Sequence, residues 1–206
     1  MDILETINNL GNKAKAASAK IRVLKPEEKK IAYEFLEKNL KINTKKILDA
    51  NKLDIDKANK NNLAKPLINR LKITEDSILG IIKSVSDIKN LPEPIGKILE
   101  SWEQPNGLKF SKISVPLGVL GVIYESRPNV TIDASCLSLK SNNSLILRGG
   151  SDSFHTSFEL VKIVTDSFNK AGLPKNIIQM IPTTKREAVD HLLSMNNYVN
   201  VIIPRG

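Results

Sequence analysis

The chain has 206 residues, of which 41% are hydrophobic and 26% charged, so it can bury a sizeable core and is not disordered throughout. Its net charge of +9 raises nucleic acid as a partner. Against that, the lysines are scattered among acids and one Trp, three Tyr and five Phe give little material for base stacking, so an anionic substrate or phosphorylated cofactor suits the field better. One Cys excludes an internal disulfide, one Cys and two His give no metal-ligand spacing, and neither a membrane span nor a secretory signal is visible, so a reduced, cytoplasmic setting is expected.

Residues 1–100 read as helical almost throughout. Ile3, Ile7, Leu10, Ala14 and Ala17 recur at helical spacing. Pro26 followed by Glu27 and Glu28 starts a second helix, whose apolar face continues through Ile31, Phe35, Leu36 and Leu40. A third helix is expected over 45–59 and a fourth, unbroken, over 63–84; Leu91-Pro92-Glu93-Pro94 ends the pattern.

From Gly107 the periodicity changes. Leu108–Val115 alternates as a half-exposed strand does, and Leu117–Tyr124 is apolar on both faces, as in a buried parallel strand. Alternating units follow: helix 130–140, strand 144–148, helix 152–171, strand 176–181, helix 184–195 and strand 198–203. Thr184-x-x-Glu187 reads as a capping box for the last helix. The expected fold class is therefore α/β: an N-terminal helical segment followed by an open, mainly parallel Rossmann-like sheet.

Three turns fall where such a sheet places its ligands, at the carboxyl ends of strands. Arg148-Gly149-Gly150-Ser151 follows one strand. Its glycines would let backbone approach a ligand and the next helix would offer N–H groups to phosphate, or the turn is an ordinary one with a Ser cap. Arg127-Pro128-Asn129 follows the buried strand. Asn129 would either donate to an oxyanion or serve only as a turn-and-cap residue fixed by Pro128. Pro204-Arg205-Gly206 is a third ligand turn or simply the end of the sequence. Cys136, mid-helix among apolar residues, reads as structural, and His155 and His191 as surface or supporting residues.

At these positions the sequence resembles the aldehyde dehydrogenase superfamily, and within it the γ-glutamyl phosphate reductase family. The resemblance is carried by Pro116-Leu117-Gly118-Val119, by Ile123-Tyr124-Glu125-x-Arg127-Pro128-Asn129-Val130-Thr131, by Leu139-Lys140-Ser141, by Ile146-Leu147-Arg148-Gly149-Gly150 and by Ile203-Pro204-Arg205-Gly206. It implies NADPH-dependent reduction of L-glutamate 5-phosphate to L-glutamate 5-semialdehyde with release of phosphate, a step of proline synthesis, through a cysteine thioester. It further implies Asn129 as the oxyanion donor and Arg148, Gly149, Gly150 and Ser151 as the turn at the adenosine side of the cofactor. Arg148 and Ser151 would favour NADP there, and Pro204, Arg205 and Gly206 would lie near the pyrophosphate.

The same resemblance divides the chain into a helical part of the cofactor-binding domain (1–100), oligomerisation-hairpin strands (101–116) and Rossmann-like units (117–206). It implies a homo-oligomer and an association with glutamate 5-kinase, with neither nucleic acid nor membrane as partner. Asn69 and Asn142-Asn143 depart from the family pattern, in which an aspartate and Gly-Asn are usual. Members of the family are roughly twice as long, and their nucleophilic cysteine lies downstream of the Ile203–Gly206 motif; Cys136 does not match it. The chain is therefore expected to be the N-terminal, cofactor-binding half, inactive alone. The alternative is a non-catalytic truncated product that binds nucleotide or pairs with a full-length partner.

Overall fold

The computed structural model describes residues 3–205. Five helices come first: α1 (Ile3–Ile21), α2 (Pro26–Ile42), α3 (Thr44–Lys60), α4 (Lys65–Leu71) and α5 (Glu75–Asn90). An antiparallel hairpin follows, β1 (Ile98–Glu103) and β2 (Lys109–Ile113). The remainder alternates as β3 (Val119–Tyr124), α6 (Val130–Lys140), β4 (Ser144–Arg148), α7 (Phe154–Lys170), β5 (Ile178–Met180), α8 (Glu187–Leu193) and β6 (Val201–Arg205). Among the described residues no helix is long and apolar enough to cross a membrane.

The four later strands form one parallel sheet in the order β5-β4-β3-β6. Because side chains alternate across a strand, β3 sends Leu120, Val122 and Tyr124 to one face, while Val119 faces the other. The first face is covered by α2, α3, α5, α6 and α7, whose Leu36, Ile47, Val85, Cys136, Leu139 and Leu160 are buried with it. The second is covered by α1 and α8 through Ile7, Ala14, Ala188 and Leu192. The sheet is thus sandwiched between helices, which explains the near-continuous apolar character of β3 and β4.

The fourth expected helix is two. α4 stops at Leu71 and α5 begins after the cap Thr74, whose hydroxyl accepts from Ser77 N at 3.2 Å. The break is held by a residue from elsewhere in the sequence: Asn51 of α3 donates to Leu71 O at 2.8 Å and accepts from Ile73 N at 2.9 Å. That buried amide supplies what an unbroken helix would have taken from its own backbone. The capping box expected at Thr184 is also absent, since α8 starts only at Glu187 and Arg148 occupies Thr184 O.

Asn142 stands where the resembled family has glycine. It takes a left-handed φ of 53°, a conformation Asn tolerates better than most residues. Its buried side chain is fully used, accepting from Lys29 Nζ at 2.9 Å and donating to Arg22 O and Leu24 O. The hairpin begins at Ile98, ahead of the boundary drawn at residue 101, and all its residues are exposed. Trp102 and Phe110 pair across it, rings stacked 5.5 Å apart.

Candidate functional site

β3 sits at the topological switch of the sheet: the chain leaves it through α6 to β4 on one side, and β6 returns to its other side. In such sheets the crevice outside the carboxyl ends of the strands, at this switch, is the usual ligand site. Register aligns Ile123 with Arg148 on one side and with Pro204 on the other, so the three sequence motifs come to one edge of the sheet.

The first two turns touch. Gly149 packs so closely on β3 that a Cβ there would lie 3.0 Å from the Tyr124 hydroxyl oxygen and 3.1 Å from its Cζ. A Cβ at Gly150 would lie 3.3 Å from Ser126 N. The Tyr124 hydroxyl is itself fixed by Thr131 on α6, at 2.7 Å. Bare backbone at 149–150 therefore lets the turn after β4 lie against the turn after β3.

Arg148 is half-buried. Nη1 donates to Gly149 O at 3.0 Å and Nη2 to Thr184 O at 3.2 Å, while the buried Nε has no partner among the described residues. Burial draws its pKa below the ordinary value, a cost that an adjacent anion would relieve. Ser151 is exposed and opens a 3-10 turn rather than capping a helix with its side chain. Lys57 of α3 reaches this turn, donating to Ser151 O at 3.4 Å.

The N-terminus of α7, read from sequence as an anion-binding end, already holds an anion. Buried Asp54 of α3 accepts from His155 N at 3.1 Å, Thr156 N at 2.8 Å and Thr156 Oγ1 at 2.6 Å. Asn51, one turn earlier on α3, donates to Thr156 Oγ1 at 3.2 Å. Asp54 is the functional-region residue that sequence reading missed. Its partners lie 101 and 102 residues away, beyond any local motif.

Asn129 is exposed at the start of α6, and its side chain caps nothing. It does stand at the N-cap position in a turn after Pro128, its own carbonyl accepting from Ile132 N and Asp133 N, so only the side-chain part of the cap reading is missing. It lines a cleft of about 360 Å³ with Arg70, Lys72, Ser77, Ser84 and Asp133. A neighbouring cleft of about 260 Å³ lies at the switch itself and gathers Arg70, Glu125, Ser126, Arg127 and Arg205.

Pro204 and Arg205 do not form a turn. They are strand residues of β6, paired with Ile123 and Tyr124. Gly206 lies outside the described residues. Cys136 is fully buried on α6, and burial, with the nearby carboxylates of Asp133 and Glu37, pushes its thiol far up. His155 is exposed, and His191 is half-buried with Nε2 3.5 Å from Glu187 Oε1.

The sheet, its order and the helices that cover it are those of the aldehyde dehydrogenase fold. A probable aldehyde dehydrogenase from Listeria monocytogenes superposes with a TM-score of 0.74 at 18% identity, over 97% of this chain and 41% of that one. An engineered glycolyl-CoA reductase with bound NADP+ superposes at 0.69 with 13% identity, over 97% and 42%. Within that fold the chain is homologous to γ-glutamyl phosphate reductase. It is 46% identical to the Bartonella tribocorum protein of that name over 96% of its own length and 48% of the relative's. The γ-glutamyl phosphate reductase of Thermotoga maritima superposes with a TM-score of 0.94 at 32% identity, covering 97% of this chain and 48% of that one. The chain thus spans about half the length of the relatives it matches. No protein-family model matches it.

Proposed function

We propose that the chain is the cofactor-binding, N-terminal half of a γ-glutamyl phosphate reductase, the enzyme that reduces L-glutamate 5-phosphate to the 5-semialdehyde and releases phosphate. The observation that carries this is the packing of the Gly149-Gly150 turn against Tyr124–Ser126, the end of β3 and the start of the turn that leads to Asn129, at the switch of the sheet. The homology to proteins of that name supports the substrate.

The residues fit a phosphorylated nicotinamide dinucleotide. Gly149 and Gly150 bare the backbone, Arg148 keeps a buried Nε with no partner among the described residues, and Lys57 adds a second cation beside Ser151. The fold neighbour with NADP+ bound points the same way. Because Asp54 already fills the α7 N-terminus, a phosphate at this turn would depend on the Arg148 and Lys57 side chains and on the N–H groups of 150–152 rather than on the helix end. Pro204, Arg205 and Gly206 would border the cofactor from β6. Bound there, NADPH would supply the hydride.

The chain's own part in the chemistry is to hold the acyl oxygen. The uncapped amide of Asn129 would donate to that oxygen as negative charge develops on it, and such preorganised donors are among the largest single contributions in acyl transfer. Cys136, buried and with its thiol pushed up, is not the nucleophile in this reading. The exposed hairpin, with Trp102 stacked on Phe110, would be covered by another copy of the protein.

Titration with NADPH and NADH tests the cofactor assignment. Arg148→Ala should weaken NADPH more than NADH by about 1–3 kcal/mol, the worth of a charge-assisted bond to phosphate. Equal losses would remove Arg148 from the 2′-phosphate role.

A further inference from the structure

We propose that the cleft beside Asn129 holds the amino-acid end of the substrate, with Arg70 and Lys72 taking the α-carboxylate and Asp133 the α-ammonium. The assignment rests on the reading of Asn129 as donor to the reacting acyl oxygen and adds the residues that fix the other end of the molecule.

Three observations carry it. Arg70 and Lys72 both line the cleft, both are exposed, and among the described residues neither has an ion pair or a side-chain hydrogen bond. They are placed there by the break between α4 and α5, which the buried Asn51 holds open through Leu71 O and Ile73 N. An unbroken helix over 63–84 would have turned these positions elsewhere.

Asp133 lies one helical turn beyond Asn129. Its N–H donates to Asn129 O at 3.2 Å, so the two side chains leave α6 on the same face, with Cβ atoms about 5–6 Å apart. Two methylenes separate the acyl carbon of a glutamyl group from its α-carbon, and that span matches the spacing. Asp133 Oδ1 accepts from Ser84 Oγ at 2.8 Å, which orients the carboxylate across the gap between α5 and α6 and leaves Oδ2 without a hydrogen-bond partner among the described residues.

The cleft thus offers, among the described residues, two unpaired cations from the α4–α5 break and one fixed, half-free carboxylate from α6. That pattern complements a zwitterion. A lone phosphate would meet Asp133 as a like charge, so phosphate alone fits it less well.

Kinetics of the full product of the gene separate these possibilities. The assay is the reverse reaction: the aldehyde and inorganic phosphate form the acyl phosphate while NADP+ is reduced and a proton is released. Arg70→Gln should raise KM for L-glutamate 5-semialdehyde about tenfold or more, the loss expected for a charge-assisted bond, and leave KM for phosphate and NADP+ within about twofold. Arg70→Lys should fall between parent and Gln. Asp133→Asn should cut the preference for the semialdehyde over 5-oxopentanoate, which lacks the amino group, by about tenfold.

A rise in the KM for phosphate in Arg70→Gln would overturn the assignment, because the cleft would then take the phosphate. If Arg70→Gln and Asp133→Asn match the parent while Asn129→Ala is slowed, this subsite fails and the reductase reading stands. A parent with no phosphate-dependent turnover overturns the reductase reading and this inference with it.

Discussion

Replacing Asp54 tests how the fold positions the cofactor turn. The carboxylate is 1% exposed and accepts three hydrogen bonds from the first turn of α7, two from backbone N–H groups and one from the Thr156 hydroxyl. It acts as an N-cap delivered from another helix. In Asp54→Ala the Thr156 N–H and hydroxyl remain buried without their acceptor, at about 1–2 kcal/mol each. Loss of the anion from the positive end of α7 adds about 1 kcal/mol. The expected destabilisation is therefore about 3–5 kcal/mol, a large share of the roughly 5–15 kcal/mol that holds a domain together.

Asp54→Asn separates the parts of that sum. Its amide oxygen can still accept from Thr156, but its NH2 would face the His155 N–H, donor against donor, and the charge is gone. About 1–3 kcal/mol is expected. Urea unfolding at neutral pH measures both variants, and amide exchange at Thr156 should accelerate in both relative to the core of α7. If Asp54→Ala unfolds within about 1 kcal/mol of the parent, α7 does not depend on this cap.

Two further outcomes are expected. Gly149→Ala places a Cβ against the ring of Tyr124, which is buried and tied to Thr131, and should cost about 1–3 kcal/mol by overpacking; adding Tyr124→Phe should recover part of that loss, and strict additivity in the double mutant would remove the clash as its cause. At alkaline pH, burial pushes the Cys136 thiol up from its ordinary 9.0 and the phenols of Tyr33 and Tyr124 up from 10.0. The folded chain then keeps protons that the unfolded chain releases, so each group lowers stability as pH rises past those values, by up to about 1.4 kcal/mol per pH unit. Lys29, drawn below 10.5 by burial, acts in the opposite direction beneath that value. The clean readout is the difference in unfolding free energy between parent and Cys136→Ala, which should shrink as pH rises above 9.0; a constant difference would refute the assignment.

What the sequence made legible was local. The apolar run of β3, the glycines after β4 and the Pro-Asn turn before α6 each announce themselves within a few residues, and the sheet brings them together as their order implies. Local signals failed where a distant side chain offered a better partner. Thr184 and Glu187 spell a capping box, but Arg148 holds Thr184 O and the helix starts later. The run 63–84 reads as one helix, but Asn51 takes the backbone groups at its break.

Polar residues buried by long-range contacts left no trace at all. Lys29 reads as one more solvated lysine on a helix whose other face is apolar. In the fold it is 1% exposed, bonded to Glu93, to Lys140 O and to Asn142 Oδ1, while Lys140 Nζ stands 3.1 Å from the other oxygen of Glu93. Asp54 reads as an exposed acid in a lysine-rich helix, and instead it closes the end of α7. A period of 3.6 residues reports which face of a helix is apolar, but it does not mark the polar residue that a partner a hundred positions away will bury. The site depends on such residues. Asn51 sets the break that exposes Arg70 and Lys72, and Asp54 sets the helix that follows the glycine turn. The motifs name the groups that would touch ligand, and these buried polar side chains of α3 decide where those groups stand.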